Sequence, residues 1–233
     1  MRRARWAFSG FLLFVGVAVW AEVKIVNPGL AERESLEYSE SIGSAFHPVS
    51  VLLTLKGQGS DARYEYHSVA HLLESTYWLD PVTLLSLSSQ TRTKTADATV
   101  TRTATYEDLK PETDPGDLIL TDMGSLPVVL RGFPWTTVKL AKIVFVGNAN
   151  FATGGVSFDL RVVGQDAVTT AGRVWQCWHV TTGLEGPLNL VVPRTDWWFA
   201  VEGTHPLIKS SGPAGGPGSP TRTLLLNSYH IEK

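Results

Sequence analysis

Alternation of apolar and polar residues with a period of two is the strongest constraint that this sequence places on its fold. In residues 156–162, valine, phenylalanine and leucine alternate with serine, aspartate and arginine. This pattern is typical of an antiparallel strand with one buried face and one face in water. Comparable segments recur from about residue 48 onward, and they predict strands at about 49–56, 63–73, 83–95, 99–106, 137–146, 155–164, 172–182, 195–201, 205–210 and 221–230.

A sheet of this size tends to curl or to close on itself. The sequence therefore predicts a mainly β protein: a single antiparallel, strongly curved sheet or β-barrel of about ten strands with one short helix. Residues 122–132 are the helix candidate, since Asp122 or Ser125 can cap its start, Pro127 fits a first turn and Gly132 can end it. A helix this short must dock on the sheet to be stable.

The N-terminal residues have the pattern of a secretory signal peptide. Arg2, Arg3 and Arg5 precede the apolar run 11–19, and Val19-Trp20-Ala21 provides small residues at a cleavage site. We predict a signal peptide over 1–21, with an uncleaved anchor as the alternative, and export to the periplasm or the extracellular space. No second long apolar run follows, so no stable membrane span is expected after cleavage.

The rest of the chain is predicted to form one domain. Residues 22–47 are predicted to be a lead-in segment, residues 48–233 a single β-barrel-like domain, and residues 210–220 a flexible Gly/Pro loop within it. Removal of residues 1–21 takes three arginines, and the remaining 17 basic and 22 acidic residues give a net charge of −5. This acidic balance argues against a nucleic-acid partner.

The threonine-rich segment 91–105 is predicted to form a hairpin around a three-residue loop, Ala96-Asp97-Ala98. This loop would place Thr95 opposite Thr99, and each further pair would also bring two threonines together. Both faces of the hairpin are polar, so it is expected to project from the core or to line a wet opening.

The sequence contains no catalytic motif, phosphate loop or dinucleotide fingerprint, so we expect no enzyme activity, no catalytic residue and no cofactor. No metal site is expected either, because His67 and His71 would lie about 13 Å apart on one extended strand. The only cysteine, Cys177, is expected to be buried and inert among its tryptophan neighbours.

Aromatic residues give the best candidates for a ligand site. Tryptophan offers a large apolar surface and one N–H donor, which suits an apolar or amphipathic ligand, although a Trp-rich core is the alternative. Arg131 at the end of the helix either interacts with the helix dipole or reaches a cavity mouth to hold a carboxylate or phosphate. The candidate ligand-binding residues are Arg131, Trp135, Trp175, Trp178, His179, Trp197 and Trp198.

The order of several short motifs resembles an uncharacterised family of exported bacterial β-rich proteins, a domain-of-unknown-function family. The motifs are Leu-Pro-Val-Val-Leu-Arg (126–131), Thr-Ala-Gly-Arg-Val-Trp-Gln-Cys-Trp (170–178), Trp-Trp-Phe-Ala (197–200) and His-Pro-Leu-Ile-Lys (205–209). The resemblance covers roughly residues 45–230. It implies an envelope β-barrel or half-barrel similar to lipoprotein-carrier and other lipid-binding folds, and it transfers no catalytic residue. The long Gly/Pro loop before the last strand departs from the family pattern.

These observations favour an exported envelope protein that binds a lipid, another apolar or amphipathic ligand, or the hydrophobic segment of a partner protein. Two alternatives stay open. One is a structural or assembly factor that contacts an envelope protein through sheet edges or the threonine-rich hairpin. The other is a hydrolase with carboxylates or histidines in the barrel mouth.

Overall fold

The computed structural model describes residues 23–106, 117–145, 156–186, 192–215 and 218–232, so the predicted signal peptide lies outside the described residues. The described residues form thirteen strands and one α-helix, α1 (Leu126–Val129), which continues as a 3₁₀ turn over Leu130–Gly132. The strands are β1 (Arg33–Ile42), β2 (Ala45–Lys56), β3 (Arg63–Val69), β4 (Leu73–Leu79), β5 (Ser86–Lys94), β6 (Thr99–Thr105), β7 (Leu118–Leu120), β8 (Leu140–Phe145), β9 (Val156–Thr170), β10 (Arg173–Leu184), β11 (Thr195–Ala200), β12 (Leu207–Pro213) and β13 (Thr221–Glu232).

All thirteen strands belong to one curled sheet, in the order β6-β5-β4-β3-β2-β1-β13-β12-β11-β10-β9-β8-β7. Neighbouring strands are antiparallel except for β7 and β8, which are parallel. Within the described ranges β6 and β7 form the two ends of the sheet and do not pair with each other. The mainly β architecture and the strong curvature are confirmed, and the sheet is open.

The prediction of about ten strands was wrong, because three strands lacked the expected pattern. β1 lies in the predicted lead-in segment, and its buried face carries Glu34 and Glu40 beside apolar residues. The strand predicted over 63–73 is β3, which ends at Val69, and β4 was not predicted because the turn between the two strands contains neither glycine nor proline. β7 has only three residues, too few for a period to show.

The helix fills the concave side of the sheet. Leu126, Val128, Val129 and Leu130 are all buried, so almost every side chain of this segment packs into the core. Neither predicted cap forms: the Ser125 hydroxyl donates to the backbone oxygen of Asp122 instead of capping the helix. Tertiary packing, rather than helix length or capping, therefore stabilises this element. Within the described ranges, no helix has the length and hydropathy to cross a membrane.

Residues 23–32 run as an extended segment past the end of the helix. The backbone N–H of Val26 donates to the oxygen of Gly132 at 3.2 Å, and the Asn27 side chain donates to the oxygen of Pro81 at 2.7 Å. Val23, Ile25 and Leu30 are buried. The segment therefore covers one end of the core before β1 begins.

The threonine-rich hairpin is present, but the predicted pairing of its threonines was wrong. Thr95 donates its N–H to the oxygen of Ala98 at 2.8 Å, which leaves two residues in the loop rather than three. The register shifts by one residue, so Thr93 lies opposite Val100 and Thr91 lies opposite Arg102. The long Gly/Pro segment also differs from expectation, because β12 extends through Pro213 and pairs it with Thr221.

Candidate functional site

An apolar cavity of about 340 Å³ lies on the concave side of the sheet, between the helix and the ends of five strands. Apolar cavities of this size are typical of small-molecule sites. None of the lining residues that the structure describes is ionisable. The lining residues are Met123, Leu126, Ile143, Phe145, Phe158, Thr182, Gly183, Leu184, Val192, Pro193, Thr195, Trp197, Pro213 and Gly215.

Strand pairing brings the aromatic wall of the cavity together. β8 pairs with β9 so that Ile143 lies opposite Phe158, and the rings of Phe145 and Phe158 meet edge-to-face with centroids 5.3 Å apart. Leu126 of the helix lines the cavity as well. The wall is therefore formed by side chains from a strand pair and from the helix that packs on it.

A single hydrogen bond orients the tryptophan of the cavity. Nε1 of Trp197 donates to Oγ1 of Thr182 at 3.0 Å, across the pair formed by β10 and β11. This bond satisfies the indole donor within the wall. The polar side-chain groups of the lining are thus the indole N–H and the hydroxyls of Thr182 and Thr195, so the part of a ligand that enters the cavity should be uncharged.

Arg194 holds the strand ends at the rim of this cavity. Its Nη1 donates to Oδ1 of Asp159 at 2.7 Å, and its Nε donates to Oγ1 of Thr181 at 3.0 Å. The guanidinium packs so closely on Gly183 that a Cβ there would lie 2.7 Å from Nη1. This arrangement joins β9, β10 and the start of β11 at the cavity.

Of the seven residues predicted from the sequence, Trp197 is the one that lines this cavity. Trp135 and Trp178 lie elsewhere in the core: Trp135 is buried and stacks on Phe199 with ring centroids 5.3 Å apart. Trp178 is half-buried, with the ammonium group of Lys139 at 5.6 Å from its ring centroid. Trp135 thus belongs to the core, and Trp178 packs against it.

Arg131 lies in the core, in a buried ion pair. Its Nη2 is 2.6 Å from Oε2 of Glu34, and its Nε donates to the backbone oxygen of Thr204 at 2.7 Å. The Tyr229 hydroxyl donates to the same carboxylate oxygen at 3.1 Å, and burial raises the pKa of this hydroxyl, which stays neutral. Arg131 borders a cavity of only about 20 Å³, and its charge is already matched by Glu34.

His179 and Trp198 occupy the other face of the sheet. Their rings stack with centroids 4.6 Å apart, and the ammonium group of Lys209 lies 4.5 Å from the indole centroid. The two imidazole nitrogens each lie 2.9 Å from a carboxylate oxygen, one of Asp166 and one of Asp196. The ring can donate to both acids only when it is protonated.

Trp175 lies near the tip of the β9–β10 hairpin, where the guanidinium of Arg173 is 3.4 Å from its ring centroid. The structure therefore does not bring the seven residues into one site. Trp197 lines the cavity, and His179 and Trp198 lie on the opposite face of the sheet. The other four lie in the core or pack against it: Arg131, Trp135, Trp175 and Trp178.

Most of the cavity residues are aliphatic or aromatic strand positions that sequence reasoning did not single out. The signal for Phe158 was present, because it belongs to the apolar face of the 156–162 alternation. What the sequence lacked was the information that the ends of β8, β9 and β10 meet beside the helix. That meeting depends on the sheet order rather than on any local pattern.

Among the described residues, no three His, Cys, Asp or Glu side chains are close enough to hold a metal ion. The cavity wall offers a ligand apolar contact and a few hydroxyl groups.

We expect Cys177 to resist alkylation in the folded protein. The residue is fully buried, and burial raises the pKa of its thiol to about 12, so almost no thiolate exists at neutral pH. Mass spectrometry after iodoacetamide treatment should show an unmodified chain under native conditions and one added group in concentrated guanidinium chloride. Rapid native labelling would contradict the packing described for this strand.

Comparison with solved structures supports the fold. A β-barrel-like protein of a domain of unknown function, DUF1849, from Brucella abortus has 12% sequence identity and a TM-score of 0.51, covering 91% of this chain and 100% of that one. A protein described as exported, with a YmcC-like fold, from Bacteroides fragilis has 8% identity and a TM-score of 0.35, covering 89% and 99%. A LolA superfamily protein from Nitrosomonas europaea has 6% identity and a TM-score of 0.23, covering 90% and 89%.

No family model matches the chain, and no curated protein matches it. At 12% identity the similarity to the Brucella abortus protein concerns the fold alone. The expected resemblance to uncharacterised, β-barrel-like proteins is confirmed at that level. The other two similarities are too distant to carry an argument.

Proposed function

We propose that this protein binds an apolar molecule, or the apolar part of an amphipathic one, in the cavity between the helix and strands β8 to β12. The observation that carries the proposal is the cavity itself: about 340 Å³, with no ionisable side chain among the described residues of its wall. Burial of an apolar ligand there releases water from apolar surface on both partners. The threonine hydroxyls can accommodate at most a weakly polar group of the ligand.

The amphipathic case is the more specific version of this proposal. A charged headgroup would lose its hydration inside such a wall without gaining a charged partner. We therefore propose that a lipid-like ligand inserts its chain and leaves its headgroup outside the apolar wall. Lipids and related single-chain amphiphiles are the ligand class that fits.

The proposed role is binding rather than catalysis, in an exported protein. The part of the chain that supports export, residues 1–21, lies outside the described residues, and its pattern of arginines followed by an apolar run supports this part of the proposal. The described part of the cavity lining contributes no acid, base or thiol. A hydrolase at this cavity would need such a group within reach of the bound ligand.

A cavity-filling substitution tests the proposal. Leu184→Trp places an indole in the space beside Trp197, and we expect at least about tenfold weaker binding of the neutral fluorescent dye phenylnaphthylamine, a difference of about 1.4 kcal/mol. Fluorescence titration of the purified protein measures the affinity.

The matched control is Val163→Trp, which adds the same indole at a side chain that is 59% exposed and does not line the cavity. The control should bind the dye as the parent protein does. Equal affinity in all three proteins, with each shown to be folded, would refute the proposed site. Native extraction followed by lipid mass spectrometry would then identify the natural occupant of the parent protein, which Leu184→Trp should lack.

A further inference from the structure

Four exposed apolar side chains lie at the tips of three neighbouring hairpins. Phe46 is 74% exposed at the start of β2, and Leu72 is 51% exposed in the turn between β3 and β4. Leu73 and Val100 are exposed as well. We call these four residues the tip patch.

Direct contacts hold the three tips together. The rings of His47 and His71 stack with centroids 4.3 Å apart, which joins the β1–β2 tip to the β3–β4 turn. The N–H of Lys94 donates to the oxygen of Leu72 at 2.9 Å, which joins that turn to β5. Thr93 pairs with both Leu73 and Val100. The three hairpin tips that carry the four apolar side chains are thus held together at one end of the sheet.

A cluster of this kind differs from scattered surface hydrophobics. Single exposed apolar residues are common and need no explanation, whereas a group of them on neighbouring hairpin tips is a candidate interaction surface. Turns between strands are normally polar, with Gly, Asn, Asp or Ser at the tip. Phenylalanine and two consecutive leucines at hairpin tips contribute nothing to the core of this molecule.

Basic side chains lie next to the tip patch. Residues 92–102 carry Arg92, Lys94 and Arg102 against one acid, Asp97, in a chain whose net charge is −2. Arg92 has Glu74 at 3.8 Å, a partly exposed pair that water screens. Apolar tips flanked by cations complement a surface that has anionic groups on its outside and an apolar layer beneath them.

The tip patch and the apolar cavity lie at the same end of the sheet. β2 and β4 begin at the tips, and β9 begins and β10 ends at the cavity. The strand pairing can be followed from β4 through the middle of the sheet to β9. It places all these strand ends at the same end of the sheet. A lipid surface in contact with the tips would therefore face the end of the sheet at which the cavity lies.

We propose that the tip patch docks the protein end-on against an anionic lipid surface. The proposal rests on the proposed function in one respect: docking would bring an apolar cavity to the source or destination of its ligand. The apolar tips enter the headgroup region, and Lys94 and Arg102 remain at the level of the anionic headgroups.

A local probe tests this proposal directly. Phe46→Cys carries an environment-sensitive thiol dye, and the buried Cys177 does not compete for the label. We expect a blue shift and increased emission when vesicles of phosphatidylglycerol mixed with phosphatidylcholine are added, and a smaller response to phosphatidylcholine alone. The control Val174→Cys starts from a side chain that is 59% exposed near the far tip of the β9–β10 hairpin, and it should not respond. Equal responses at the two positions, or no response at Phe46→Cys, would overturn the proposal.

A second measurement keeps docking separate from ligand binding. The double variant Phe46→Ser/Leu72→Ser should bind the same anionic vesicles about tenfold more weakly in a flotation assay, since two apolar side chains no longer enter the lipid. Val163→Ser/Val174→Ser is the matched control, and every variant carries the same N-terminal segment. Dye binding in the cavity should be unchanged in both. Unaltered flotation of the tip variant refutes lipid docking, and so does its capture by a protein partner instead of vesicles. Dye binding tests the cavity separately, because only Leu184→Trp is expected to lose it.

Discussion

Replacing Arg131 by methionine should lower the free energy of unfolding by about 3–5 kcal/mol. The substitution keeps most of the side-chain volume but removes the partner of Glu34, a carboxylate that is fully buried. The remaining hydrogen bonds, from the Ala31 N–H at 3.0 Å and from the Tyr229 hydroxyl at 3.1 Å, cannot neutralise that charge. Denaturant unfolding followed by circular dichroism measures the loss.

Two controls separate the buried charge from general damage. Arg131→Met combined with Glu34→Leu removes both charges and should recover much of the lost stability, because an apolar pair of similar size can replace a buried ion pair. Arg33→Met breaks an exposed pair, whose atoms lie 3.4 Å apart, and should cost less than about 1 kcal/mol. Equal losses for Arg131→Met and Arg33→Met would show that the core pair is not desolvated as described.

Replacing Gly132 by alanine should destabilise the protein by about 1–3 kcal/mol and loosen the segment 23–32. A Cβ at this position would lie 2.4 Å from the backbone oxygen of Val26 and 2.9 Å from the side chain of Ile25. A backbone atom cannot rotate away as a flexible side chain can. The segment must therefore move off the end of the helix, and it loses the hydrogen bond between Val26 and Gly132.

Limited proteolysis is the informative measurement for Gly132→Ala, since cleavage within residues 23–32 should accelerate more than cleavage elsewhere. Gly215→Ala is the matched control: a Cβ there would meet only the Ser219 side chain, at an ordinary distance of 3.8 Å. If the two variants are equally stable and equally resistant to protease, the close approach of the segment to the helix is wrong.

The sheet could be predicted wherever one face of a strand is apolar throughout. β9 shows this, with Phe158 and Leu160 on the buried side. β1 could not be recognised in the same way, because Glu34 occupies its buried face and its partner, Arg131, lies 97 residues further along the chain. A buried charge looks like a surface residue until its partner is known, so such a strand gives no local signal.

The hairpin register shows a second limit. Threonines alternate with other residues along both 91–95 and 99–105, so any shift by one residue still produces acceptable cross-strand pairs. The turn geometry at Thr95 and Ala98 decides the register. A loop of three residues instead of two would shift every cross-strand pair by one position. The prediction of a polar, projecting hairpin needed only composition and was independent of this detail.

The candidate site was the hardest part to predict. Period two correctly implies that Trp197 and Trp198 face opposite sides of β11, but it does not say which one faces the helix. In the structure Trp197 faces inward and bonds to Thr182, whereas Trp198 packs between His179 and Lys209. Tryptophan content singled out both β10 and β11, and only the sheet order shows that Trp197 of β11 lines the cavity.

The pairing of β1 with β13 also determines when this protein can become stable. The two strands lie side by side in the middle of the sheet, with Arg33 opposite Glu232 and Ile42 opposite Arg222. Until β13 is available, the two halves of the sheet cannot join, and each exposes an unpaired strand. If a chain with this architecture is threaded through a membrane from its N-terminus, it can complete the sheet only after β13 has crossed, so the pairing of β1 with β13 would delay its folding until then.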